Sequence, residues 1–125
     1  MNIQEFLEKN PVKIDTEWAD SNPNMDCHDM NHYKVKLKHK GRQMSLFFSQ
    51  GYGISGAPTV ETVLECLSSD SSMLDYGFEE WADNLGWDSD SRKAEKTYKL
   101  CQRQAKKLEN MLGAPAFQDL LEVEW

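Results

Sequence analysis

The segment Asp26-Cys27-His28-Asp29-Met30-Asn31-His32 holds the residue types that bind zinc, with Cys27, His28 and His32 as candidate ligands. Two imidazoles four residues apart converge when their segment is helical. Here the surrounding Asp, Asn and Pro predict a loop, and no second ligand cluster stands elsewhere, so no metal site is expected. Cys27 with His28 or His32 is also the only candidate nucleophile and base, and adjacency in sequence is not triad geometry. Cys66 and Cys101 lie next to or on apolar stripes and are read as core thiols. No catalytic residue and no cofactor is expected, and the chain is read as a non-enzyme.

Two further motifs fail on context. Gly51-Tyr52-Gly53-Ile54-Ser55-Gly56 has the GxGxxG spacing of a dinucleotide loop, between a predicted strand and a predicted helix. A dinucleotide site also needs a parallel strand–helix–strand unit, whereas the local pattern is a hairpin. Asp88-Ser89-Asp90-Ser91 opens like a calcium loop, but Lys93 stands where the glycine belongs and Lys99 where the last glutamate belongs. The four residues are better read as helix caps.

The charge is uneven. The net −7 arises entirely beyond residue 60, and residues 61–90 hold nine acidic side chains with no Lys or Arg. Such a segment repels nucleic acid and attracts basic protein surfaces, or else serves as a solvated face. Its candidate partner-binding residues are Glu79, Glu80, Asp83, Asp88 and Asp90. Glu79 and Asp83, four apart, share one helix face. Opposed to these are two basic stripes. Lys34, Lys36, Lys38 and Lys40 alternate along a strand followed by Arg42, and Arg92, Lys96, Lys99, Arg103 and Lys106 recur along a helix. Lys34, Lys36, Lys38, Arg92, Lys96 and Arg103 are the candidate phosphate contacts. No aromatic residues are expected to interleave with them, which argues against a stacking platform for single strands.

Periodicity predicts the elements that carry these residues. Ile3, Phe6 and Leu7 fit a short helix stopped by Asn10-Pro11. Residues 12–18 favour a strand, and residues 20–31 a loop. Tyr33, Val35, Leu37 and His39 alternate with the lysines, Gly41 turns the chain, and residues 43–48 return. The result is a three-stranded antiparallel sheet with one buried face. Thr59 can cap a helix bearing Val60, Val63, Leu64 and Leu67, with the serine-rich stretch 68–72 predicted to interrupt it. Phe78, Trp81, Ala82 and Leu85 form a second short helix that Gly86 can end. Ala94, Tyr98, Cys101, Ala105, Leu108 and Leu112 then make the seam of a long helix ended by Gly113, and Pro115 starts a last short one. A single α+β domain over residues 1–125 is expected, its small sheet covered by helices with one long C-terminal helix. No apolar run approaches the roughly 20 residues of a membrane helix, and the N-terminus has no apolar signal core, so a cytoplasmic chain is expected.

The stretch from Phe78-Glu79-Glu80-Trp81 through Trp87-Asp88-Ser89-Asp90-Ser91-Arg92-Lys93-Ala94-Glu95 resembles a segment of small phage- and prophage-encoded proteins without assigned activity. Phe48-Ser49-Gln50-Gly51, Pro58-Thr59, Val63-Leu64 and Ser69-Asp70 are similar too. The resemblance covers about the C-terminal two-thirds and carries no functional residues with it. It implies a phage-derived inhibitor of a host nucleic-acid-handling defence complex, of the anti-CRISPR or anti-restriction type, acting in the host cytoplasm. On that reading the acidic residues would occupy a basic channel as phosphates do. The partner would be a host defence protein or ribonucleoprotein, with no membrane involved and the chain a monomer or homodimer. The alternative expectation is a nucleic-acid-binding accessory protein using the basic stripes.

Overall fold

The structure, a computed structural model, describes residues 1–24, 29–84, 86 and 92–125, with residue 75 described by its backbone alone. Helix α1 (Ile3–Lys9) begins at Asn2, whose side chain accepts a hydrogen bond from the Glu5 amide at 2.9 Å. Strands β1 (Lys13–Ala19), β2 (Met30–His39) and β3 (Arg42–Gly51) follow, then helices α2 (Val60–Met73), α3 (Gly77–Asn84), α4 (Arg92–Leu112) and α5 (Ala114–Leu121). A single 3₁₀ turn, Leu74–Tyr76, joins α2 to α3. The architecture is α+β: an antiparallel sheet in the order β1-β2-β3, packed with five helices.

The β2–β3 hairpin turns at Lys40 (φ 49°) and Gly41 (φ 80°). Two positive φ values in a two-residue loop match the right-handed twist of the flanking strands. Lys40 therefore sits in the turn rather than on the lysine face. The register sets Arg42 opposite His39, on the side facing the core, and Arg42 Nη1 donates to the Asn110 carbonyl at 3.2 Å near the C-terminal end of α4. Arg42 thus leaves the predicted basic sheet surface and satisfies one of the helix's orphan carbonyls.

The alternation along β2 sorts the sheet into two faces. Val35 and Leu37 are buried with Met44 of β3 against Val63, Leu64 and Leu67 of α2, Leu108, Met111 and Leu112 of α4, and Phe117 and Leu120 of α5. A second cluster joins Trp81 and Ala82 of α3 to Ala94 and Cys101 of α4, flanked by Phe78 and Tyr98. The Phe78 and Tyr98 rings stack at 5.2 Å, and Trp81 meets Tyr98 edge-on at 5.2 Å. One helix, α4, thus feeds both clusters along its single apolar seam.

The serine-rich stretch does not break α2. Serine favours turns because its hydroxyl competes for backbone groups, but here the hydroxyls bond inside the helix. Ser71 Oγ donates to the Leu67 carbonyl at 2.7 Å and Ser72 Oγ to the Ser69 carbonyl at 2.9 Å, while Ser68 is buried facing the Leu120 carbonyl at 3.4 Å. Between α4 and α5 the chain turns at Gly113 (φ 89°, ψ 151°), a conformation open essentially to glycine alone. At the ends of the molecule, Asn2 and Glu124 form a parallel bridge and the Glu124 amide donates to the Met1 carbonyl at 2.9 Å.

Candidate nucleic-acid interface

With Val35 and Leu37 committed to the core, the opposite face of the sheet carries Lys34, Lys36 and Lys38, together with Asp15 and Glu17 of β1 and Ser45, Phe47 and Ser49 of β3. On the other face, where α4 packs, a groove of about 770 Å³ opens between the sheet and that helix. Its floor consists of three successive rungs: Asp15–Lys36–Ser45, Thr16–Val35–Leu46 and Glu17–Lys34–Phe47. Because α4 packs on the Val35 and Leu46 side of the sheet, the middle rung turns its side chains toward the α4 wall, and the outer rungs offer backbone there and turn their side chains to the lysine face. Leu100, Arg103, Gln104 and Lys107 of α4 form one wall, and Pro23 and Asn24 the end.

The loop that supplies Pro23 and Asn24 is tied down. Asn22 Nδ2 donates to Ser49 Oγ at 3.0 Å, His32 Nδ1 lies 2.6 Å from the same oxygen, and the Asn24 amide donates to Asn22 Oδ1 at 2.9 Å. Asn22 and His32 are both buried. A second groove, of about 720 Å³, runs on from the first and shares Pro23, Asn24, Leu100 and Arg103 with it. It adds Arg92, Lys93, Lys96, Thr97 and Lys99 along α4, and among the described residues no carboxylate lines it. The structure gathers Arg92, Lys96 and Arg103 along one flank of α4, while Lys34 and Lys36 flank the first groove by their backbone and send their side chains to the opposite sheet face. Lys38 lies on that same face, paired with Asp15 at 2.8 Å.

Three lining residues escaped the sequence reading. Lys93 and Lys107 lie just off the predicted stripe, on the flank of α4 that turns toward the sheet. Phe47 is the more consequential. It pairs with Lys34, lines the groove and is half-buried outside both apolar clusters, so an aromatic ring does stand among the lysines. The signal was present: with Met44, Leu46 and Phe48 facing inward, Phe47 must face outward.

The acidic candidates are placed elsewhere. Glu79, Glu80 and Asp83 are exposed on α3, and no ion pair joins them to any described residue. Asp88 and Asp90 lie outside the described residues, as do Cys27 and His28 of the candidate zinc segment. Among the described residues no group of three or more His, Cys, Asp or Glu side chains is arranged to hold a metal ion. The glycine-rich segment after β3 leads out of a wholly antiparallel sheet, and Gln50, buried at the end of β3, donates its amide to the Gly56 carbonyl across it.

The thiols differ from expectation in one respect. Cys101 is buried, but Cys66 belongs to an exposed residue of α2 whose Sγ faces Asp70 Oδ2 at 3.9 Å. Loss of solvent around the sulfur, and then the charges of Asp70 and Glu65, push the Cys66 thiol up to about 11. Burial first, then Asp70 and Cys66, push Cys101 up to about 12. Both are therefore protonated, weakly nucleophilic thiols at neutral pH. Among the described residues no helix is long and apolar enough to cross a membrane. No known protein family, curated protein or solved structure matches the chain.

Proposed function

We propose that this chain is a nucleic-acid-binding accessory protein that holds the phosphate backbone along the basic groove of α4 and the lysine face of its sheet. The observation that carries this reading is the gathering of Arg92, Lys93, Lys96, Lys99 and Arg103 along one groove of α4, with Lys34 and Lys36 forming a second basic surface on the uncovered face of the sheet. Solvation alone requires no such gathering, because exposed cations serve solubility equally well when scattered. The overall charge of −7 does not oppose the reading, since ionic interactions are screened beyond roughly 8–10 Å at physiological salt and a polyanion responds to the surface it meets. Neutralising phosphates releases counterions, so affinity must fall steeply with salt. The test is fluorescence anisotropy with a labelled oligonucleotide between about 50 and about 200 mM salt. Binding that weakens with salt in the native chain, and is lost in Lys34→Gln/Lys36→Gln/Arg103→Gln, supports the reading. A native chain that binds nothing at low salt ends it.

A second reading rests on α3. Glu79, Glu80 and Asp83 form an exposed acidic face with no cation on the helix. This supports a phage-derived inhibitor that binds a basic channel of a host defence protein or ribonucleoprotein. A pull-down from nuclease-treated lysate separates the two. Retention of a defence complex by the native chain, and its loss in Glu80→Lys/Asp83→Lys, favours the inhibitor.

A further inference from the structure

We propose that the chain bridges two separate nucleic-acid backbones, one in the α4 groove and one on the uncovered face of the sheet; this rests on the phosphate-binding reading above. The two basic surfaces lie on opposite sides of the sheet. Strand alternation turns Lys34, Lys36 and Lys38 away from the side of Val35 and Leu37, and it is on that side that Leu108, Met111 and Leu112 of α4 pack. The sheet therefore stands between the lysine face and the helix that bears Arg92, Lys93, Lys96 and Arg103.

Each surface is equipped to hold phosphates by itself. In the α4 groove Lys99 pairs with Glu95 at 2.9 Å, and among the described residues no ion pair engages Arg92, Lys93, Lys96 or Arg103. From Arg92 to Arg103 the helix rises about 16 Å, near half of the roughly 34 Å turn of a duplex. On the sheet, the register places Lys13, Lys34, Lys36 and Lys38 on one face with Asp15 and Glu17. Lys38 holds Asp15 at 2.8 Å, so Lys13, Lys34 and Lys36 outnumber the remaining carboxylate. Lysines two apart in a strand repeat about every 6.8 Å, twice the roughly 3.4 Å axial step of phosphates along one duplex strand.

One duplex cannot serve both surfaces. Duplex DNA is stiff over about 150 base pairs, so a short piece lying along α4 does not fold round the sheet edge to reach the lysines. Two duplexes can, one on each side. The helix layer between them is about 10–12 Å thick, which exceeds the roughly 8–10 Å screening length and keeps their mutual repulsion small.

The experiment mixes two duplexes of about 20 base pairs, one carrying a donor dye and one an acceptor, with the native chain at about 50 mM salt. Energy transfer between them is expected at equal concentrations, and is expected to fall in excess protein as each duplex takes its own copies. Lys34→Gln/Lys36→Gln and Lys96→Gln/Arg103→Gln are each expected to bind a single duplex by anisotropy, with a salt slope shallower by about 1–2, and to lose the transfer. Far-UV circular dichroism confirms that each variant is folded. If the native chain binds a duplex but gives no transfer, bridging is overturned and phosphate binding survives. Transfer that persists in either folded variant overturns it too, because copies then join the duplexes through one surface. If either variant loses single-duplex binding altogether, the two surfaces serve one backbone and bridging is again overturned. If the native chain binds no duplex at low salt, the phosphate-binding reading falls and the present inference with it.

Discussion

Lys38 Nζ lies 2.8 Å from Asp15 Oδ2, although the strand register sets Asp15 opposite Lys36 and Lys38 opposite Lys13. The ion pair is therefore diagonal. It ties Lys38 across the lysine face and leaves Lys36, directly opposite Asp15 in the register, out of that contact. Both partners are well exposed, so the pair adds little to stability, and its interest is electrostatic.

Asp15→Asn should tighten oligonucleotide binding several-fold, because it removes a carboxylate from the lysine face and releases Lys38. The pH dependence has a definite sign. The hydrogen bond from Lys38, then the Lys38 charge, hold the Asp15 carboxyl below its ordinary value. Its negative charge therefore persists through mildly acidic pH and is lost only as the pH falls through that lowered value. On this account the native chain gains affinity through Asp15 protonation only below about pH 4, while Asp15→Asn already has the gain at neutral pH. Anisotropy titrations of both proteins at several pH values check this.

Asp70 behaves in the opposite sense. Burial raises its pKa, and the contact with Cys66 only partly offsets that. An acid whose folded pKa is raised destabilises the fold once ionised. Its penalty is complete above the folded pKa and absent below the unfolded one. Asp70→Asn should therefore raise Tm at neutral pH, with the gain vanishing below about pH 4. The same change removes a negative charge beside Cys66, so the thiol pKa should fall and alkylation near pH 8 should quicken in a Cys27→Ser background. Unchanged labelling would remove Asp70 as a cause of the raised thiol.

Trp81 is 1 % exposed and meets both Phe78 and Tyr98. Trp81→Ala should cost about 3–5 kcal/mol, the range for emptying a buried aromatic site. Because α3 holds the exposed acids, the same variant should disturb their presentation while the groove keeps its sheet floor. Urea denaturation followed by tryptophan fluorescence and circular dichroism gives the stability change.

Gly113→Ala tests the turn between α4 and α5. Nothing lies within 4 Å of a Cβ built there, so crowding contributes nothing and the effect is backbone strain alone. At φ 89° and ψ 151° that strain is about 1–3 kcal/mol. A Tm unchanged from the native chain would mean that the turn relaxes at no cost.

Local patterns proved readable where the fold is local. Strict alternation from Tyr33 to His39 placed β2 and its buried face, and the seam from Ala94 to Leu112 placed α4 and its end before Gly113. Ser68 to Ser72 misled because a hydroxyl that favours a turn can equally bond to the carbonyl three or four residues back. Arg42 misled because counting lysines along β2 says nothing about the face on which the returning strand sets its first cation. The groove was hidden for a different reason. The sheet and α4 that line it are about sixty residues apart in sequence, and only the packing of the α4 seam gathers Lys93, Lys96, Arg103 and Lys107 along the flank beside the sheet.

That seam also gives the molecule two electrical ends. The side of α4 that bears Ala94 and Cys101 holds α3 with its uncompensated carboxylates, while a different flank holds the cations of the groove. Such a body carries a dipole as well as a net charge. It rotates in the field of an approaching polyanion so that α3 trails and the groove leads, before any contact forms. In dilute buffer the same asymmetry draws the α3 end of one copy toward the groove of the next, so low salt sets self-attraction in competition with the ligand.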